Sequence, residues 1–247
     1  MKPYYIFAPE YRHTSSGNRA VYALHRMLIE RGYQSYLSSG RKMPAPGEMI
    51  VVKPDIYDND GSLGRIVRWI MYPMSGARVP RDDEMIFFYL KEFDYKNRGV
   101  GRLCVDTTEL DLFNNDEQYH RVNECVFVGK GERVPRIPNT EGLISINLQY
   151  PISRKRLAAL FKTSSVLYSY DKCTAIISEA RLCGCPVCLI PEDTSYCLVP
   201  EIGIGRIGSM SKAEMTVDQF EAVFKEHVRG LAGDVDNFIT NTQAEFK

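Results

Sequence analysis

YSYDKCTAIISEARLCGCPVCLIP, residues 168–191, changes character twice along its length. With the two residues before it, VLYSYD (166–171) reads as a strand, TAIISEARLCG (174–184) as a helix and PVCLIP (186–191) as a second strand. Gly184 stops the helix and Pro186 opens the strand that follows. A strand, a helix and a strand joined by short turns form a parallel β–α–β unit, so the fold class is α/β. Asp171 and Glu179 stand eight positions apart on either side of the start of this helix.

The rest of the chain repeats the alternation. YYIFAP (4–9) is a strand, SSGNRAVYALHRMLIERGY (15–33) a helix with Val21, Leu24, Leu28 and Ile29 at helical spacing, and QSYLSS (34–39) and GEMIVVKPDIY (47–57) are strands. SLGRIVRWIMYPMSG (62–76) reads as a helix broken by Pro73 and Gly76, either with Trp69 in the core and Arg65 and Arg68 turned outward or with all three presented to a sugar. EMIFFYLKEF and GRLCVDTTELDLF supply further strands. A second set starts near Cys125 with ECVFVGKGER and EGLISINLQYP as strands and SRKRLAALFKTSS as a helix capped by Ser153. Thr216 and Gln219 have capping-box spacing ahead of a terminal helical region. The expectation is two α/β units, 1–120 and 121–247.

Composition narrows the function classes. Lys plus Arg and Asp plus Glu are both 31, so the charge points to no nucleic-acid partner. No apolar run approaches the roughly 18 residues of a membrane span, and MKPYYIFAPEYRH is too short in apolar residues for a secretory signal, which places the chain in the cytoplasm. Seven cysteines cannot pair completely. Cys183, Cys185 and Cys188 invite a zinc reading, but no second well-spaced pair and no nearby histidine accompany them, so no metal is expected. No G-x-G-x-x-G follows the first strand, which argues against a dehydrogenase.

In a parallel α/β unit, ligands sit beyond the carboxyl ends of strands, at helix N-termini. Asp171, Lys172, Cys173 and Thr174 fall at such a junction. The amides there favour an anion such as a diphosphate. Equally, Asp171 or Thr174 serves only to cap the helix. Glu179 lies among small and apolar residues, where a carboxylate needs partners. Either ligand hydroxyls or Arg181 or Lys172 would satisfy it.

The segment 168–191 resembles the nucleotide-sugar site of GT-B glycosyltransferases, in which two Rossmann-like domains face each other across a cleft. Many retaining members carry two glutamates separated by seven residues, then small residues and a G-x-P-V step. Asp171 and Glu179 stand in that register, and EARLCGCPV matches the later part. The first position departs from the pattern, Asp in place of Glu. The resemblance implies that Glu179 binds the nucleotide ribose and that Asp171 lies near the donor sugar, with Tyr170, Lys172, Cys173 and Thr174 around the donor. FVGKGER (127–133) is similar to the strand and glycine loop that open the donor domain, which implies that Gly129, Lys130 and Arg133 neutralise the diphosphate. APEYRHTSSGNRA (8–20) resembles the cleft-facing loop of the first domain, bringing Gly17 toward the ligands and His13 into position as a catalytic base. Glu10, Asp55 and Asp106 also follow strands and are candidates for that role.

The partners so implied are a nucleotide-sugar donor and a glycan acceptor, lipid-linked acceptors included, with no cofactor or metal. Arg154, Lys155 and Arg156 form a basic patch that suits either a solvent face or peripheral contact with an anionic membrane. Two rivals use the same features: a sugar-nucleotide epimerase of the same double fold, and a nucleotide- or glycan-binding module without turnover.

Overall fold

In a computed structural model, the structure describes residues 1–39, 49–57, 65–72, 79–117, 119–132, 134–171, 173–190 and 216–246. Two compact units emerge: residues 1–12, 17–107 and 228–247 form the first, and 13–16 with 108–227 the second. The division falls near Thr107 rather than 120, and the last segment returns to the first unit.

The first unit holds six parallel strands: β1 (Tyr4–Ile6), β2 (Ser35–Leu37), β3 (Ile50–Pro54), β4 (Val67–Ile70), β5 (Met85–Phe88) and β6 (Gly101–Arg102). Their order in the sheet is β2-β1-β3-β4-β5-β6. Helix α1 (Ser16–Glu30) links β1 to β2. Its apolar stripe, Ala20, Val21, Leu24 and Leu28, packs on alternate strand residues such as Ile6, Val52, Val67 and Phe87.

Strand β4 corrects the helix expected over 62–76, of which 65–72 lie among the described residues. A short apolar run cannot be told from a buried helix by periodicity alone. Here VRWI is buried on both faces, as parallel strands are. Because neighbouring strand residues point to opposite faces, Trp69 enters the main core and donates Nε1–H to the Leu103 carbonyl at 2.9 Å. Arg68 is correspondingly not turned to solvent. It is 1% exposed and donates Nε and Nη2 to the two oxygens of Glu84 at 3.0 and 2.9 Å.

The second sheet has four parallel strands: β7 (Asn123–Phe127), β8 (Ile144–Ile146), β9 (Ser164–Ser169) and β10 (Val187–Leu189), in the order β10-β9-β7-β8. Helix α2 (Arg154–Lys162) is capped by Ser153, and α3 (Ala175–Leu182) by Thr174. At the far end of both helices, Arg121 donates to the carbonyls of Phe161, Ser164 and Cys183, placing a cation where helix dipoles are negative. The capping box of α4 (Val217–Gly230) forms as expected, Thr216 and Gln219 exchanging backbone-to-side-chain bonds.

Helix α5 (Ala232–Glu245) belongs to the first unit because its apolar face, Val235, Phe238 and Ile239, completes that unit's core. Asp234 pins its start, accepting from Arg102 Nε and from the Cys104 amide. No helix among the described residues is long and apolar enough to cross a membrane.

Removing one member of a buried ion pair strands the other charge. Glu84→Ala is expected to lower stability to urea by about 3–5 kcal/mol, whereas Glu84→Leu combined with Arg68→Met should lose much less. Equal losses in the two unfolding curves would contradict this account of the pair.

Candidate functional site

In both sheets the strand order reverses once: between β1 and β3 in the first, and between β7 and β9 in the second. The crevice beyond the carboxyl ends of such strands is where open α/β sheets bind ligands. In the second unit the reversal brings together the loop after β7, Val128–Gly131, and the turn after β9 that contains Asp171, Cys173 and Thr174. Gly129, Lys130, Tyr170, Asp171, Cys173 and Thr174, separated by some forty positions in sequence, therefore meet. Arg133 and Lys172 lie outside the described residues.

Asp171 holds this arrangement. Its Oδ2 accepts from the Lys130 amide at 3.0 Å and its Oδ1 from the Cys173 amide at 3.0 Å. The carboxylate thus ties the two loops across the reversal while almost wholly buried. The glycines explain how the loops come so close. Gly129 has a positive φ of 47°, and a Cβ there would sit 2.5 Å from Asp171 Oδ2. A Cβ on Gly131 would stand 2.2 Å from the Tyr170 carbonyl oxygen. The backbone at Gly131 leaves no room for a side chain.

Tyr170 is buried and serves the neighbouring loop. Its hydroxyl accepts from the Ile137 amide at 2.9 Å and shares a 2.8 Å bond with Thr140 Oγ1, while the Arg136 guanidinium lies 4.5 Å from its ring centroid. Of the two readings of the junction, Thr174 takes the capping role, its hydroxyl accepting from the Ile176 amide. Lys130 is exposed beside the junction and Cys173 is half-buried.

Glu179 differs from both expectations. It is 1% exposed, and Arg154, which neither expectation named, is bonded to both of its oxygens. Arg154 donates Nη1 to Glu179 Oε2 at 2.9 Å and Nη2 to Oε1 at 2.7 Å, while its Nε donates to Glu109 at 2.8 Å. The guanidinium lies 4.4 Å from the Phe113 ring centroid. Burial works against its charge, yet the bonds to Glu179 and Glu109 more than offset this and raise its pKa above the ordinary range. Both Glu179 oxygens are thus committed, and a ribose contact by this carboxylate requires Arg154 to yield.

Arg154 in turn lines a shallow depression at the carboxyl ends of β7 and β8, together with His13, Thr14, Phe127, Asn147 and Ser153. His13 is therefore brought to the second unit's edge, where Thr14 Oγ1 donates to the Leu148 carbonyl at 3.0 Å. Gly17 goes elsewhere: it lies in the first turn of α1, in the first unit, and a Cβ there would make only an ordinary 3.9 Å contact with Met71. Asp55, also expected as a base, is buried and accepts from the amides of Met71 and Tyr72, which makes it a latch between β3 and β4.

Three residues escaped the sequence reading. Arg154 looked like surface charge, and neither Glu109 nor the close approach at Gly131 carries a local signal. Cys183 is buried, which pushes its thiol up to about 12. No group of three or more potential metal ligands occurs among the described residues.

The latch gives a graded expectation. Asp171→Asn turns one acceptor into a donor facing an amide and should cost about 1–3 kcal/mol, with Gly131→Ala costing at least as much. Gly17→Ala should be neutral or stabilising by up to about 1 kcal/mol. Urea unfolding of the three variants checks the order, and a Gly17→Ala loss larger than that of Asp171→Asn would contradict it.

No protein-family model and no curated protein sequence matches the chain.

Proposed function

We propose that the chain is a glycosyltransferase that moves a sugar from a nucleotide-sugar to a glycan acceptor. In this reading the second Rossmann-like unit holds the donor and the first the acceptor. The observation that carries it is the convergence of the Gly129–Lys130 loop, the Asp171–Thr174 turn and the start of α3 at the strand-order reversal of a parallel sheet. Such a crevice suits the phosphates of a nucleotide, since a helix N-terminus carries partial positive charge and Lys130 adds a full one.

The reaction joins the acceptor oxygen to the anomeric carbon as the bond to the diphosphate breaks. The departing diphosphate takes the electron pair and is stabilised by Lys130, with Arg133 and Lys172 from the same two loops. The acceptor proton passes to a base, for which His13 at the depression is the candidate. Asp171 keeps the donor loops in register instead of touching the sugar, and Glu179 acts through Arg154. No metal enters this scheme, because Lys130, Arg133, Lys172 and the α3 terminus carry the positive charge.

One observation favours a second reading. With both oxygens of Asp171 bonded to amides, the departure from the family's glutamate fits a module that binds a nucleotide or glycan without turning it over. Acceptor-dependent release of nucleoside diphosphate separates the two readings.

The first test is thermal stability with UDP, GDP, TDP and CMP and their sugars. A ligand at about 100 times its Kd should stabilise the protein by about 2.7 kcal/mol, seen as a raised Tm. One nucleotide should give the shift, and Lys130→Ala should reduce it without lowering the Tm of the free protein. No shift with any of them at millimolar concentration would sink the transferase reading and leave only a glycan-binding module.

A further inference from the structure

The turn between β8 and α2 presents an apolar tip. Leu148, Tyr150 and Ile152 are 58%, 46% and 60% exposed, within five consecutive residues. Large apolar side chains scattered singly on a surface need no explanation, but a cluster does. This cluster is held outward by a built turn. The Asn147 amide donates to the Tyr150 carbonyl at 2.8 Å, and Asn147 Oδ1 accepts from the amides of Gln149 and Tyr150 at 2.8 and 3.1 Å. Thr14 Oγ1 fixes the Leu148 carbonyl from outside the turn. With its backbone so bonded, the turn cannot fold its side chains into the core without losing these bonds.

Two exposed cations follow the tip in sequence. Lys155 and Arg156, in the first turn of α2, are exposed. Helical side chains lean toward the helix N-terminus, which here is the side of the tip. The acids Glu109 and Glu179 that reach this helix are both bonded to Arg154. Cations at a helix N-terminus oppose the dipole, so Lys155 and Arg156 do not stabilise α2 through it.

We propose that the 148–152 tip and Lys155–Arg156 form a docking surface for an anionic membrane. The apolar side chains enter the headgroup–acyl boundary, where Tyr150 suits the interface, and the two cations meet lipid phosphates. Leu148 and Arg154 also border the depression, so docking would hold that depression at the lipid surface. A lipid-linked acceptor then becomes the substrate class favoured under the transferase reading. The docking itself does not depend on that reading.

The test is co-sedimentation of the full chain with phosphatidylcholine vesicles, with and without phosphatidylglycerol, and without nucleotide. Binding should require the anionic lipid and weaken with salt. The triple variant Leu148→Ser, Tyr150→Ser, Ile152→Ser should bind at least about tenfold more weakly. Lys155→Glu with Arg156→Glu should weaken it by about fivefold or more per charge. Melting curves confirm that both variants fold, and the charge variant stands alone if the apolar one does not. Absence of binding to anionic vesicles, or equal binding by wild type and both variants, overturns the proposal. So does self-association of the wild type that the triple variant abolishes, which would assign the tip to a second copy of the chain. Since no nucleotide is present, a failed transferase reading leaves this result unaffected.

Discussion

A single buried carboxylate joins the two loops on which the candidate donor site depends. Asp171 accepts amide hydrogens from Lys130 and Cys173 across the point where strand order reverses. A carboxylate buried away from water is costly unless it is hydrogen-bonded, and here two amides of the loops themselves supply the bonds. The same bonds leave those loops little freedom to drift. Gly129 and Gly131 are the complement of this latch, because any Cβ would force apart the backbones that Asp171 draws together.

A second buried charge cluster lies behind the depression. Arg154 is held by Glu179 and Glu109 and stacked over Phe113. Such a cluster is weak support for stability as a whole, since each ion loses its water. Its effect is to fix one guanidinium at the carboxyl edge of the second sheet, with His13 and Asn147 nearby. The carboxylate that the resemblance assigns to the nucleotide is thus bonded through both oxygens to an arginine of the same unit.

How far the sequence could be read follows from the range of each interaction. The strand–helix–strand at 166–191, the Ser153 and Thr174 caps and the Thr216–Gln219 box are local, and their residue types declare them. The strand order of the second sheet, which brings Gly129–Lys130 to Asp171, is set by where β9 returns beside β7 and is not written in the local sequence. Strand β4 was misread because four buried residues have no telling period, and with it Arg68 was turned the wrong way. The Arg154–Glu109 bond spans 45 positions and the Asp234 contacts about 130. Nothing local encodes such distances, which is why Glu179's partner and the return of α5 to the first unit emerged only in three dimensions.

Amide hydrogen exchange of the chain, with and without the nucleotide-sugar that stabilises it most, tests the location of the donor site directly. The account predicts slowed exchange concentrated at 128–132 and 173–177, the two loops joined by Asp171, with little change in the segments 7–12 and 55–57 of the first unit. Protection confined to those first-unit segments, with the second-unit loops unchanged, would contradict it.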